Sequence, residues 1–297
     1  MTIDPIQVLL WTFRRSEKDV INLYNSLSQV MQLATGSSML NFGYWDTNTH
    51  NPLQAQHELC KLVGKMAELD SVKYVIDVGS GFSAPAVEWK SVYKSLEVVC
   101  VNINFRQLKN SIMVDGINLV NSTSTSLPFP RQSVDRIIAL ESAQHFKPLS
   151  HFIKESKRVL KQNGLLVLAI PVTVAKPLMM FAKLGILSLT WSSEHYALEY
   201  VISIIKREEF QIMEIKNIGA NVYGPLTDYY IKNRKNLRET IMKKYPSYLE
   251  NILCRSLMQM KKVSQDRIID YVLIKCKLSI EEYRKFENDI QNLPISV

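Results

Sequence analysis

Several features that mark particular protein classes are missing from this 297-residue sequence. Its four cysteines have no C-x-x-C spacing and are too few for a disulfide scaffold, so we expect free thiols in a reducing compartment. No histidines have metal-ligand spacing, and we predict no metal site. The longest apolar stretch, 177–191, contains Lys183 and is shorter than the ~20 residues that a membrane helix needs. Together with an N-terminus whose apolar run precedes its basic pair, unlike a signal peptide, these absences predict a soluble, cytoplasmic protein.

The net charge of +8 is unevenly distributed. The segment 206–262 has twelve Lys or Arg against six Asp or Glu. A solvated helical face is the simpler interpretation, and a surface that attracts anionic substrates is the alternative. We predict no nucleic-acid partner, because the sequence has no N-P-P-Y-like motif and no RNA-binding module.

Glycine is also scarce, yet two of the ten glycines stand in one short turn. Gly79 and Gly81 follow a β-branched run at 74–78 that is typical of a buried parallel strand. Glycine permits a close backbone approach that a Cβ would block. Ser83 is then a candidate helix cap, and Pro85 suits the first helical turn. This strand, turn and helix predict a cradle for a nucleotide cofactor.

The residues around this turn indicate which of two kinds of cofactor would bind there. The pattern G-x-G-x-x-A, from Gly79 to Ala84, also fits a dinucleotide site. Asp77, two positions before the first glycine, would repel a pyrophosphate, but it suits a cofactor with a cationic amino-acid group. A dinucleotide enzyme also requires an acid about 20 residues further on, where this chain has Asn102. The turn therefore favours an amino-acid-bearing cofactor over a nicotinamide.

Beyond the turn, apolar runs alternate with helical patterns, which predicts a doubly wound α/β sheet. Helices are expected at 16–33, 52–69, from about 105, and at 150–162, the last closed by Asn163 and Gly164 as a C-cap. Strands are expected at 74–78, 97–103, 117–120, 134–140, 165–170, 211–218 and 268–276. The last two strands should form an antiparallel edge.

Six short motifs occur in an order that resembles a known family. D-V-G-S-G-F-S at 77–83 is similar to motif I of the class I S-adenosylmethionine-dependent methyltransferases. The other similar segments are N-F-G-Y-W at 41–45, V-N-I-N-F-R-Q-L at 101–108, L-P-F at 127–129, E-S-A-Q-H-F at 141–146 and R-V-L-K-Q-N-G at 158–164. The resemblance is to the group that methylates small natural products, sterols and isoprenoids. It implies S-adenosylmethionine as cofactor.

The resemblance also implies a domain organisation. We expect a Rossmann-like, seven-stranded methyltransferase sheet with N-terminal helices and a helical lid insertion. The expected divisions are an N-terminal helical cap at 1–70, a methyltransferase domain at 71–278 with lid segments at about 171–209 and 220–264, and a tail at 279–297. A homodimer is left open.

Carried over by position, the resemblance implies a set of cofactor-binding residues. Asn102 and Gln107 would face the ribose, where many relatives have an acid. Thr123 and Ser124 stand where many relatives have Asp-Ala against the adenine, so that carboxylate is missing here. The full predicted set is Tyr24, Asp77, Gly79, Ser80, Gly81, Asn102, Ile103, Gln107, Thr123 and Ser124.

The catalytic prediction rests on the motif after the fourth strand. His145 has the pKa range of a general base, and Glu141 is the alternative base or cation stabiliser. The predicted substrate-binding residues are Tyr44, Trp45, Tyr196 and Tyr223, with Met179, Met180, Phe181 and Trp191 in the lid.

These features predict O-, N- or C-methylation of a small, largely apolar acceptor. One alternative is an isoprenoid-diphosphate C-methyltransferase, favoured by the basic segment and by the lack of a second acid after strand five. Another is a non-catalytic cofactor-binding protein on the same fold.

Overall fold

The computed structural model describes residues 5–175, 184–190 and 193–278. Its seven strands are β1 (Tyr74–Val78), β2 (Glu97–Asn102), β3 (Ile117–Asn121), β4 (Val134–Leu140), β5 (Leu160–Thr173), β6 (Phe210–Asn217) and β7 (Ile269–Leu278). The helices are α1 (Pro5–Arg14), α2 (Glu17–Thr35), α3 (Pro52–Met66), α4 (Ala84–Val92), α5 (Phe105–Lys109), α6 (Leu149–Val159), α7 (Leu187–Thr190), α8 (Leu198–Arg207), α9 (Tyr223–Met242) and α10 (Ser247–Gln265).

The strands form one sheet in the order β3-β2-β1-β4-β5-β7-β6. Strands β1 to β5 are parallel, whereas β7 is antiparallel to both β5 and β6. The expected antiparallel edge and the seven-stranded sheet are thereby confirmed. Since β1 is central, its carboxyl end and those of its neighbours meet at one edge, where open α/β sheets bind ligands.

The sheet is covered on both faces, as its apolar runs predicted. Val75 of β1 belongs to a core cluster with α3 and α4, while Ile76 belongs to a second cluster with α6 and α8. Strand β5 is buried from Gly164 to Thr173 because β4 and β7 flank it. This burial on both sides explains why the central strands read as continuous hydrophobic stretches.

One local prediction is wrong, and a second is right only in position, since Ser83 is the N-cap residue of α4 but its side chain does not cap the helix. Helix α6 ends at Val159, and Asn163 and Gly164 lie inside β5, because Leu160 is extended and pairs with Val134 of β4. Ser83 has a left-handed backbone, with φ 60°, and makes no side-chain cap hydrogen bond to α4. Its Oγ instead accepts a 3.2 Å hydrogen bond from the hydroxyl of Ser111.

Helices from both ends of the chain lie above the carboxyl edge of the sheet. Helix α2 begins with a capping box between Ser16 and Asp19 and ends at Gly36 in a left-handed C-cap. Val30 of α2 packs with Tyr230 of α9 and Leu257 of α10 in a third core cluster. The two helical segments predicted from distant parts of the sequence therefore form one cover.

In the described part of the predicted insertion at 171–209, one helix belongs to the core of the sheet. Helix α8 packs against the sheet through Val201, Ile204 and Ile205, because its apolar face completes the cluster beside α6. Met179, Met180, Phe181 and Trp191 lie outside the described residues, as does the tail from 279. None of the described helices is long and apolar enough to cross a membrane.

Candidate active site

A cavity of about 540 Å³ lies between the carboxyl edge of the sheet and its helical cover. Its floor comes from the ends of β1, β2 and β4 and from the segment after β3. Its roof comes from α1, α2 and α10. Residues of the floor include Val78, Gly79, Ser80, Gly81, Val101, Asn102, Ile103, Gln107, Ser122, Ser124, Leu140, Glu141 and His145.

The two glycines of the predicted cradle serve different purposes. Gly79 has φ 77°, and a Cβ there would lie 2.3 Å from the Cβ of Ser142. Gly81 also has a positive φ, of 56°, but a Cβ there would meet no atom within 4 Å. Gly79 is therefore required by packing, whereas Gly81 leaves space open beside the cavity.

Asp77 lies beneath this turn and is 2% exposed. Burial raises the pKa of its carboxyl group to about 7. Neither Asp77 Oδ2 nor Ser80 Oγ has a hydrogen-bond partner among the described residues. Ser80 lines the cavity, whereas Asp77 does not. A buried carboxylate oxygen and a buried hydroxyl without partners at the glycine turn suit a cofactor with a cationic amino-acid group, so the site fits S-adenosylmethionine.

The amide side chains after β2 hold this region together. Asn102 Nδ2 donates to the carbonyl oxygen of Gly81 and to Gln107 Oε1, both at 3.0 Å. Gln107 Nε2 in turn donates to Ser28 Oγ of α2 at 3.4 Å. Both amides line the cavity beside Ile103. They connect the glycine turn to the cover, and their predicted role at the ribose stays a prediction.

The segment after β3 contains an interaction that sequence reasoning missed. Ser124 lines the cavity, but Thr123 does not. The Thr123 hydroxyl instead donates to Glu17 Oε1, from the first turn of α2. Glu17 itself lines the cavity. No local pattern predicts this contact, because the two residues are 106 positions apart.

Glu141 borders the cavity at the end of β4. Its backbone is left-handed, with φ 50°. Its Oε1 accepts hydrogen bonds from the Phe42 backbone at 2.8 Å and from the Tyr271 hydroxyl at 3.0 Å. None of the described residues donates a hydrogen bond to Glu141 Oε2. Burial raises the pKa of Glu141 to about 8, although the two hydrogen bonds favour the carboxylate.

His145 lies one short turn further along. Its Nε2 is 2.9 Å from the Tyr24 hydroxyl, and the two rings meet edge to face. Burial is the main reason why the pKa of His145 falls to about 4, and the positive charge of Arg15 adds to it. The imidazole is therefore neutral near pH 7. In the tautomer that leaves Nε2 unprotonated, the Tyr24 hydroxyl donates a hydrogen bond to Nε2, and this nitrogen can accept a proton.

The four predicted substrate-binding aromatics do not line this cavity. The backbone N–H of Tyr44 donates a hydrogen bond to the Ala55 carbonyl oxygen, and the Trp45 ring packs on the Tyr229 ring. Tyr196 donates to the Phe146 carbonyl oxygen at 2.6 Å, and Tyr223 is fully buried. These side chains complete the core instead, as aromatic residues in a hydrophobic segment commonly do.

The apolar wall comes instead from helices that the sequence placed only as cover. Residues of α10 at helical spacing face the cavity, namely Leu249, Ile252, Leu253, Leu257 and Met260. Further apolar residues come from α1 and α2, including Val8, Leu9, Val20, Leu27 and Met31. The period of α10 is visible in the sequence and could have identified these residues.

A parallel sheet with an antiparallel edge, a glycine turn after β1 and a cavity over its carboxyl edge define a Rossmann-like methyltransferase fold. Comparison with known proteins agrees, since residues 76–168 match the family model described as "Methyltransferase domain". The chain is a class I S-adenosylmethionine-dependent methyltransferase, which confirms the class and the cofactor predicted from the glycine motif.

The chain is similar to the erythromycin 3''-O-methyltransferase of Saccharopolyspora erythraea, at 25% identity over 239 residues, which cover 75% of this chain and 78% of that protein. Among solved structures, the cyclopropane synthase MmaA2 from Mycobacterium tuberculosis matches with a TM-score of 0.75 at 13% identity, over 85% of this chain and 95% of the other. The mycolic acid cyclopropane synthase CmaA1 complexed with SAH and CTAB matches with a TM-score of 0.73 at 15% identity, with the same coverage of 85% and 95%.

Proposed function

We propose that this methyltransferase methylates a hydroxyl group on a small, neutral and largely apolar metabolite. The proposal rests on the apolar composition of the cavity wall above His145. Helices α1, α2 and α10 supply apolar side chains, and no Lys or Arg lines the cavity within the described residues. The charged side chains among its described lining are two carboxylates, Glu17 and Glu141.

An apolar wall with few polar groups selects a ligand that is mostly hydrocarbon. Burying an anion there would be costly, because no cation compensates its lost hydration. A neutral acceptor avoids this cost. The name of the erythromycin 3''-O-methyltransferase gives an independent reason to expect an oxygen acceptor.

The bound cofactor supplies a methyl group activated on a cationic sulfur. The protein must then align the acceptor oxygen and exclude water. We propose that the acceptor hydroxyl donates a hydrogen bond to the Tyr24 oxygen. As the new C–O bond forms, the acceptor proton passes to Tyr24 and the Tyr24 proton passes to His145 Nε2. This leaves a neutral tyrosine and an imidazolium.

The lining of the cavity does not support the isoprenoid-diphosphate alternative. A diphosphate needs cationic side chains or a bound metal. The basic segment 206–262 contributes neutral α10 residues to the cavity, while its lysines and arginines are absent from the described lining. A cytoplasmic location, a role in small-molecule biosynthesis and a homodimer belong to the same proposal, as does the division into an N-terminal cap, a methyltransferase domain and a tail.

The proposal is tested with S-adenosylmethionine labelled in its methyl group. The purified protein is incubated with matched acceptors, namely neutral apolar alcohols and the diphosphates of the same alcohols. We expect transfer to neutral alcohols, with kcat/KM at least about tenfold above that for any diphosphate, since one unpaired buried charge costs more than 1.4 kcal/mol. Preferential transfer to a diphosphate would overturn the proposal.

A substitution in the apolar wall provides the matched control. Leu253→Trp should fill part of the cavity and raise KM for the acceptor at unchanged affinity for S-adenosylhomocysteine. Met258→Trp on the same helix should change neither, because Met258 is 54% exposed and does not line the cavity. Equal effects of both variants would mean that α10 does not bind the acceptor.

A further inference from the structure

The end of the cavity beside β3 has a carboxylate that comes from another part of the chain. Glu17 lies in the first turn of α2, is exposed, and lines the cavity together with Ser122 and Ser124. Thr123 donates a hydrogen bond to its Oε1. Among the described residues nothing hydrogen-bonds Glu17 Oε2, and Glu17 forms no ion pair. The carboxylate therefore has acceptor capacity left for a ligand.

The layout of the floor determines which part of the cofactor reaches Glu17. The reacting sulfur must lie near the catalytic groups at the end of β4, where Glu141 and His145 are. In S-adenosylmethionine the ribose connects this sulfur to the adenine. The sheet order β4-β1-β2-β3 then directs the ribose past the glycine turn and the end of β2, and the adenine toward β3.

The chemistry of this end of the cavity suits an adenine. Ile103 from the floor and Val20 and Ile21 from α2 line it with apolar surface for a flat base. The exocyclic N6 amine of adenine is a hydrogen-bond donor and needs an acceptor when it leaves water. Thr123 already uses its hydroxyl proton on Glu17, which leaves the Glu17 carboxylate as the charged acceptor at this end.

We propose that Glu17 accepts a hydrogen bond from the adenine N6 amine of the cofactor and makes the site selective for adenosyl compounds. Thr123 is a positioning residue that orients the carboxylate. The helical cover thus replaces an acceptor that the segment after β3 does not provide. Opening of α2 would remove this contact from the cofactor.

A purely structural tether between α2 and the β3–β4 segment would use the same Glu17–Thr123 hydrogen bond. The two roles differ in what they predict for the base. A tether weakens binding of every nucleoside equally when it is lost. A base-recognising carboxylate discriminates adenine from hypoxanthine, because hypoxanthine has a carbonyl oxygen in place of the amine and would face the carboxylate with an acceptor.

The experiment is calorimetric titration with S-adenosylhomocysteine and S-inosylhomocysteine, with no acceptor present. We expect the natural protein to bind the adenosyl compound about tenfold to a hundredfold more tightly, as for hydrogen bonds to charged groups. Glu17→Gln should reduce this ratio to within about threefold, because an amide can donate to the carbonyl as well as accept from the amine.

Two further variants complete the test. Thr123→Val keeps the carboxylate and should retain most of the ratio. Glu58→Gln should retain all of it, since Glu58 pairs with Lys61 on the surface of α3 and does not line the cavity. A ratio near one in the natural protein, or equal weakening of both ligands by Glu17→Gln, would overturn the proposal. Both outcomes leave the proposed acceptor class unaffected, because no methyl transfer is measured.

Discussion

The Tyr24 hydroxyl and His145 Nε2 are 2.9 Å apart, although 121 residues separate them in the chain. Tyr24 belongs to the cover helix α2, and His145 follows β4 at the edge of the sheet. Their hydrogen bond joins the cover to the carboxyl edge of the sheet. It also provides a way to separate a cofactor-binding role of Tyr24 from a role in proton transfer.

Tyr24→Phe removes only the hydroxyl and keeps the ring against His145. If Tyr24 relays the acceptor proton, kcat should fall about a hundredfold to ten-thousandfold, the range typical of general acid–base catalysis. The affinity for S-adenosylhomocysteine should change less than about threefold. Steady-state kinetics and calorimetry on the same preparation measure both. A large loss of cofactor affinity at unchanged kcat would instead assign Tyr24 to the cofactor.

The buried carboxyl groups predict a proton-linked cofactor affinity. The folded-state pKa of Asp77 is raised to about 7 and that of Glu141 to about 8, both by burial. Because of the raised pKa values, the folded protein holds protons that the unfolded chain has already released. The free energy of unfolding therefore falls as the pH rises toward 7 or 8. His145 and His195 act in the opposite sense, but only between about pH 4 and 6.5.

Between pH 6.5 and 8 only the two acids remain, so the ligand-free protein should lose stability as pH rises through this range. A cationic cofactor favours both carboxylates and should release protons when it binds. We expect the heat of S-adenosylmethionine binding at pH 7 to differ between phosphate and Tris buffers, and this difference to shrink in Asp77→Asn. Equal heats in both buffers, or a thermal stability that rises from pH 6.5 to 8, would contradict this assignment.

The two glycines of the turn should respond differently to alanine. Gly79→Ala places a Cβ on the Ser142 side chain and should lower the free energy of unfolding by more than about 2 kcal/mol. Gly81→Ala meets no protein atom and carries only the strain of a positive φ, about 1 kcal/mol. Its main effect should be weaker binding of S-adenosylhomocysteine. Urea unfolding and calorimetry separate the two effects, and unchanged binding by Gly81→Ala would show that the cofactor lies elsewhere.

Helix α10 is attached to α9 by a buried carboxylate. Glu250 is fully buried and accepts hydrogen bonds from Arg234 at 2.8 Å, Arg238 at 2.5 Å and Tyr230 at 3.1 Å. Glu250→Gln should lower the free energy of unfolding by about 1 to 3 kcal/mol, less than for a fully buried pair because both arginines are partly exposed. Urea unfolding measures it. Asp228→Asn breaks the exposed pair with Lys261 and should cost less than about 0.5 kcal/mol. Similar losses in both variants would contradict the role of Glu250.

Local patterns were sufficient for the first strand and for the turn and helix start that follow it. The strand 74–78, its glycine turn and Pro85 in the first turn of α4 follow from residue types at fixed short spacings. The C-cap predicted at Asn163 and Gly164 is wrong because pairing of Leu160 with β4 overrides the local preference of these residues. Tyr223, expected at the substrate, is buried in the core and does not line the cavity, because hydrophobicity alone does not distinguish a core residue from a residue of a ligand wall.

The sequence by itself determined the strands and the glycine turn, because each depends on a short contiguous stretch, and the order of its motifs indicated the class of reaction through a resemblance to a known family. Only the tertiary structure decided how α2 and α10 cover the cradle, and hence the pairs Tyr24–His145 and Glu17–Thr123. Contacts across more than a hundred residues leave no periodic trace in the chain. They depend on how separately formed helices bury their apolar faces against one edge of the sheet, and that packing forms the cavity.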